Sequence, residues 1–242
     1  MGPHNIPNIK IFGVNIMKNL IVTRADSKIK NWSDITHPIM EKYAERCNAD
    51  FKVISNEVDD NSRAYAIFQL YDLFNDYDRI LQIDTDTLIM NHCVDLFKLV
   101  PDDMVGTIYE DVGSRKLHRQ ELINKIQDQR NDVNWESGYI NTGVFVLSKM
   151  HKEVLNPEGK LWDGFGYDDV EIAYRIHKFG FKIFELDYNY NHMSMFSEQW
   201  NNFHSRFDSN IIHFAGNGFD NRINRFDQMV ADYNILKRYN LI

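Results

Sequence analysis

The sequence predicts an α/β fold, with a doubly wound parallel half first and a less regular half after it. Three observations predict it. Short apolar, β-branched runs at Asn19–Arg24, Phe51–Ser55 and Ile80–Ile83 read as strands. Segments with helical spacing separate them, giving a β-α-β-α-β order. The third run stops abruptly at two carboxylates, Asp84 and Asp86, as a buried parallel-type strand does at its tip.

From Asp34 to Cys47 the apolar positions Ile35, Ile39, Met40, Tyr43 and Ala44 recur at helical spacing, with Pro38 in the first turns. Ser62 is placed to cap a helix running to Phe74, with Tyr65, Phe68, Leu70, Leu73 and Phe74 facing inward. The second half offers a strand at Met104–Tyr109, a polar helix over about Ser114–Gln129 and a strand from Tyr139 to Ser148. A helix from Asp168 to Lys178, strands near Phe181–Leu186 and Asn210–Phe214, and a terminal helix from about Asn221 to Tyr239 complete the pattern.

Composition narrows the function. The 242 residues are 43% hydrophobic, enough for one large domain or two halves sharing a sheet. A net charge of -8 without a long Lys/Arg run argues against nucleic acid or an anionic membrane as partner. No apolar stretch is long enough to span a bilayer, and the N-terminus lacks the apolar core of a signal peptide. Two cysteines, Cys47 and Cys93, read as buried thiols of a reducing compartment, so a soluble, cytoplasmic protein is expected. Residues 1–17 read as an appendage to the domain.

The chemistry is concentrated at Asp84-Thr-Asp86. In open α/β sheets ligands bind beyond the carboxyl ends of the strands. Two carboxylates there, one residue apart, can share a hard divalent cation, which in turn can hold a diphosphate. The spacing alone is weak, because Asp76-Tyr-Asp78 repeats it inside an ordinary helix-to-strand turn. Three further segments supply context. Tyr139-Ile-Asn-Thr-Gly-Val opens a strand with small polar residues, Gly143 allowing close backbone approach and Asn141 and Thr142 offering hydrogen bonds. Trp162-Asp-Gly-Phe-Gly-Tyr-Asp-Asp is an aromatic, glycine-rich loop delivering paired acids at a helix start, where they also suit capping and the helix dipole. Ile211-Ile-His-Phe-Ala-Gly-Asn-Gly ends a strand in His213, which fits a ligand or a satisfied core histidine.

Taken with the Val22-Thr-Arg-Ala-Asp26 strand end, this order of motifs resembles the GT-A glycosyltransferases, and within them the glycogenin and lipooligosaccharide galactosyltransferase family, over about Lys18 to Gly218. The resemblance implies a Rossmann-like nucleotide-binding half over 18–110 with a mixed, mainly parallel central sheet and helices on both faces. An acceptor-binding half over 111–220 and a C-terminal helix over 221–242 would complete a single domain. By resemblance, Thr23, Ala25 and Asp26 would line the base and ribose, and Arg63 would reach the nucleotide or its phosphates. Thr85 and Gly216 join the nucleotide-sugar side. Asp84, Asp86 and His213 would hold manganese, and this ligand set does not exclude magnesium. Asn141, Thr142, Trp162 and Asp168 would face the acceptor. The partners implied are a nucleoside diphosphate sugar, with UDP favoured, and a saccharide acceptor.

Two departures qualify the likeness. The family follows its histidine with a lysine-proline-tryptophan run that contacts the diphosphate. This chain has Gly216-Asn-Gly-Phe-Asp-Asn-Arg222, so Arg222 or Arg225 must substitute, or the phosphate contact is lost. The family also carries an Asp-Gln pair where this chain has Asp168-Asp169. A second carboxylate there can act as general base for attack from the opposite face, favouring inversion of the anomeric centre with Asp169 as base and Asp168 second. Two rivals stand beside this reading. A haloacid-dehalogenase-type phosphatase also uses a strand followed by Asp-x-Asp-x-Thr, here Asp84 to Thr87, but opens on that strand and would leave His213 idle. A non-catalytic sugar- or nucleotide-binding module would keep the cleft without turnover.

Overall fold

The computed structural model describes residues 17–55, 64–194, 198–216 and 224–242. Six strands form the main sheet in the order β2-β1-β3-β6-β5-β7. They are β1 (Asn19–Ala25), β2 (Asp50–Ser55), β3 (Arg79–Ile83), β5 (Met104–Tyr109), β6 (Ile140–Ser148) and β7 (Lys182–Glu185). β1 runs parallel to both β2 and β3, and β7 runs parallel to β5. β6, wedged between β3 and β5, is antiparallel to both. A second sheet of three short strands, β4 (Thr87–Ile89), β8 (His192–Met193) and β9 (Ile211–His213), has the order β4-β9-β8.

Helices cover both faces because the central strands are apolar on both sides. Leu20, Val22, Ile80, Phe145 and Leu147 point to one core with α2 (Leu70–Leu73), α4 (Lys116–Gln129) and α5 (Tyr167–Phe179). The alternate residues Ile21, Leu81, Ile83, Val144 and Val146 face α1 (Lys30–Arg46) and α3 (Leu96–Leu99). Each such side chain, fully buried, contributes roughly 1.5–3 kcal/mol. A third core joins α6 (Arg225–Arg238) to the small sheet and α1, through Met229, Leu236, Leu88, Ile212 and Phe214 against Trp32, Ile35 and Ile39.

Several boundaries differ from the sequence reading for local reasons. α1 starts at Lys30, ahead of Asp34, because the Asp26 carboxylate accepts from Lys28 N and caps a 3-10 turn that runs into the helix. Pro38 therefore lies well inside α1. The segment before Phe74 is a 3-10 helix over Ala64–Gln69 followed by the single turn of α2. The expected cap Ser62 lies outside the described residues, as do positions 1–16 of the N-terminal segment. α6 begins at Arg225, with the Asn224 side chain accepting from Phe226 N and Asp227 N. Among the described residues, no helix is long and apolar enough to cross a membrane.

Candidate active site

β1 and β3 end side by side, and the chain passes from β3 into β4 through Asp84, Thr85 and Asp86. This short link therefore joins the two sheets. Thr85 turns inward, where its hydroxyl donates to the Arg24 carbonyl at 2.6 Å and lies 2.9 Å from the Thr23 hydroxyl. Asp84 N donates to the Gly143 carbonyl, and Phe214 N donates to the Asp86 carbonyl. With the central residue buried and the backbone pinned on both sides, Asp84 and Asp86 open into one cleft of about 380 Å³. Asn141, Thr142, Asp168, Asp169, His213, Gly216, Arg24 and Arg225 also line it.

Asp84, Asp86 and His213 each bring one ligand atom within 4.8 Å of the others. His213 Nε2 stands 3.2 Å from Asp86 Oδ1 and 3.8 Å from Asp84 Oδ2. The other oxygen of Asp84 is committed, accepting from Arg24 Nη2 at 2.9 Å and Gln82 Nε2 at 2.8 Å. That division leaves Oδ2 for a cation. Burial pushes the His213 pKa down, but Asp86 and Asp84 outweigh it and hold the imidazole above its ordinary value. Burial likewise disfavours the Asp86 anion, yet His213 and Arg225 bring its pKa below the usual carboxylate range. Two carboxylate oxygens and one imidazole nitrogen suit a hard or borderline divalent ion. Gly143 shows how closely the backbone cradles the ligand: a Cβ there would stand 2.3 Å from His213 Cε1. Gly143 also lines the cleft, so its missing side chain leaves room for the histidine ring beside the open space.

A second pair of acids faces this one. Gly166, at φ 86° and ψ -7°, turns the chain into α5, and a Cβ there would stand 2.3 Å from Tyr139 Oη. Asp169 Oδ1 accepts from Thr142 N and from Thr142 Oγ1, both at 2.8 Å. Asp168 Oδ2 lies 3.4 Å from Arg24 Nη1 and 3.3 Å from Thr142 Oγ1. The Thr142 hydroxyl has one proton, so the shorter contact to Asp169 wins. Burial, opposed by Arg24 and assisted by Asp84, moves the Asp168 pKa up to about 6. Asp169 is raised well above the ordinary carboxylate value by burial, with Asp168 and Glu110 adding to it.

The predicted residues divide cleanly. Asp84, Thr85, Asp86, Asn141, Thr142, Asp168, Asp169, His213 and Gly216 meet in the cleft. Thr23 is fully buried behind Thr85, while Ala25, the last residue of β1, and Asp26 just after it do not line the cleft. Arg63 and Arg222 lie outside the described residues. Trp162 is a correction: only 2% exposed, it packs in the core, and its Nε1 donates to the Phe165 carbonyl at 3.0 Å. It presents no face to a sugar. Trp200 is also buried, and His192 is satisfied by Ser209 Oγ at 2.7 Å. The main omission is Arg24. A charge at the end of an apolar strand, aimed where two acid pairs were expected, was the available signal.

No protein-family model matches the sequence, and no curated protein matches it either. Solved structures do match the fold. A glycosyltransferase involved in glycosylation of the major capsid of PBCV-1 is 15% identical, over 90% of this chain and 99% of that one, with a TM-score of 0.55. The galactosyltransferase LgtC, solved with donor and acceptor sugar analogs, is 15% identical over 88% of this chain and 95% of that one, with a TM-score of 0.54. A Drosophila β1,4-galactosyltransferase 7 mutant, in complex with manganese, UDP-Gal and xylobiose, is 13% identical over 88% and 79%, with a TM-score of 0.50. The mixed six-stranded sheet, its helices and these neighbours together give this chain the GT-A glycosyltransferase fold.

Proposed function

We propose that this chain is a metal-dependent glycosyltransferase that moves a hexosyl group from a nucleoside diphosphate sugar, with UDP favoured, to a saccharide hydroxyl. One observation carries the reading: Asp84, Asp86 and His213 converge in the cleft at the carboxyl ends of β1 and β3. The neighbour crystallised with manganese and UDP-Gal supports a divalent metal and a uridine nucleotide as the first to test.

Asp84 through Oδ2, Asp86 and His213 would hold manganese, or magnesium in its place. A bound divalent cation offsets the charge of a departing diphosphate and so lowers the barrier to breaking the anomeric bond. Arg225, donating to Asp86 Oδ2 at 3.1 Å and 38% exposed, adds a fixed positive charge on the same side. It is the described candidate for the role of the family's missing lysine. Asp169 is the proposed base. Thr142 holds its Oδ1, and among the described residues its Oδ2 has no hydrogen-bond partner, which leaves that oxygen for an acceptor hydroxyl. Burial, with Asp168 and Glu110 beside it, raises its pKa, which makes its ionised form a stronger proton acceptor than a free aspartate.

Incubation with manganese and a panel of UDP- and GDP-sugars tests the reading. Slow, metal-dependent hydrolysis of one sugar nucleotide, lost in Asp84→Ala with the fold intact, is the expected result. Phosphate release from phosphomonoesters would indicate a phosphatase instead. Tight nucleotide binding without turnover, even with acceptors present, would indicate a binding module.

A further inference from the structure

The orientation of His213 can be traced from an atom whose chemistry is unambiguous. The backbone N–H of Gly143 is a donor, and it points at Asn141 Oδ1 at 2.9 Å. Asn141 must therefore present its oxygen on this side. The Asn191 side chain meets that same oxygen at 2.9 Å, so the atom it offers must be its amide nitrogen, Nδ2. Fixing Nδ2 fixes Oδ1, which faces His213 Nδ1 at 2.7 Å. An amide oxygen only accepts, so Nδ1 must carry a proton. The nitrogen left to face Asp84 and Asp86 is Nε2.

We infer that Asn191 is a positioning residue for the metal site. Through the relay Gly143–Asn141–Asn191, it holds the His213 ring in one orientation and keeps the proton on Nδ1, so that the Nε2 lone pair faces the cation. The inference rests on the proposed metal-dependent reaction. Asn191 is 1% exposed and sits in the turn that leads into β8, away from the surface of the catalytic cleft. It belongs to neither the Asp84–Asp86 link nor β9, and its bond to His213 Nδ1 is its direct contact with the candidate metal ligands. An imidazole donating its second N–H to an oxygen is the usual partner arrangement for a metal-bound histidine, and loss of that partner weakens metal affinity about 10–100-fold.

The test is the manganese dissociation constant of the whole protein, read from the free-ion EPR signal without nucleotide, for wild type, Asn191→Leu and Asn191→Asp. Asn191→Leu keeps the volume and removes the acceptor. Its affinity should fall about 10-fold or more, with UDP binding in the absence of metal unchanged. Asn191→Asp keeps an acceptor opposite Nδ1 but sets its other oxygen against Asn141 Oδ1, so it should recover only part of the loss. A purely packing role would lower the melting temperature of both variants and leave manganese affinity alone. Wild-type affinity in Asn191→Leu would overturn the inference, as would equal losses in the two variants. Should the leucine variant not fold, Asn191→Ala takes its place: a loss of affinity of about 10-fold or more supports the role, and affinity within about threefold of wild type rejects it. A wild-type protein that binds no manganese defeats the proposed function and the inference together, whereas normal wild-type binding with indifferent variants defeats the inference alone.

Discussion

Arg24 Nη2 donates to Asp84 Oδ1 at 2.9 Å, tying the end of β1 to the end of β3 with an ion pair. The same guanidinium lies 3.4 Å from Asp168 at the start of α5 and donates to the Ala64 carbonyl. One guanidinium thus sits between an acid of the candidate metal site and an acid of the proposed base pair. Without it those carboxylates would face each other in a partly dry cleft.

Arg24→Met should therefore destabilise the fold at neutral pH by about 2–3 kcal/mol, because it leaves buried carboxylates uncompensated. The cost should shrink at pH 5, where Asp168, with its pKa pushed up to about 6, is largely protonated and needs the cation less. Urea unfolding at pH 5 and pH 8 measures both values. Equal losses at the two would mean that Arg24 contributes packing and little charge pairing.

The pH profile of transfer tests the acid pair. Asp168 and Asp169 are both raised, so each is ionised only at pH values above the ordinary carboxylate range. A base must be ionised to take a proton, so kcat/KM should fall on an acidic limb displaced well above the ~3.9 of a free aspartate. Asp169→Asn should abolish turnover without disturbing nucleotide binding. The sign for stability is opposite: the folded state holds these protons more tightly, so Asp168 reduces stability as pH climbs from about 4 to 6, and Asp169 acts in the same direction. Near-normal turnover in the asparagine variant would reject Asp169 as base.

Gly143→Ala should damage metal binding more than folding. Its added methyl would press on His213 Cε1 and Nδ1 and on Asn141 Oδ1. Displacement of the imidazole should weaken manganese binding by about 10-fold or more. EPR titration beside thermal unfolding separates the two effects. An alanine variant with unchanged affinity would show that the ring has room to shift.

Glu171 makes a separate prediction about acid stability. Fully buried in α5, it accepts from Arg130, from Arg175 and from Trp162 N. Burial disfavours its charge, but the two arginines outweigh that and lower its pKa. A lowered carboxylate stabilises the fold above its unfolded value of about 4.3, and that contribution is lost as pH falls through the folded value. Glu171→Gln should cost about 3 kcal/mol at pH 7, with the gap to wild type closing below pH ~4. Denaturant unfolding at pH 7 and 3.5 checks it.

Trp162→Phe distinguishes core from binding surface. The ring lies in the main core beneath Gly164, where a Cβ would stand 2.3 Å from it. Stability should fall by about 1–2 kcal/mol while the KM for acceptor stays at the wild-type value. A raised KM with unchanged melting temperature would return Trp162 to the acceptor site.

Much of this site was legible because its residues sit where periodicity changes. Asp84 and Asp86 follow an apolar strand, His213 closes another, and Asp168 and Asp169 open a helix. Other parts were hidden for physical reasons. β4, β8 and α3 are two to four residues long, too short for any repeat to register. Arg24 looked like strand filler, since its importance comes from partners 60 and 144 positions away. Trp162 looked like a sugar platform because an aromatic-glycine loop reads the same whether its ring points out or in. Asn191 carried no local signal, and its meaning depends on two hydrogen-bonded neighbours from two other segments, Asn141 and His213, with Gly143 holding the first.

The aspartates lie on the link leaving the large sheet, while the histidine belongs to the small one. An ion gripped by all three would act as a rivet between two separately built plates. α6 backs the smaller plate, and its first residue, Arg225, reaches over to Asp86. Through Arg225, α6 thus braces the junction where Asp84, Asp86 and His213 meet, and slackening of that helix would be felt as a looser spacing of the three side chains.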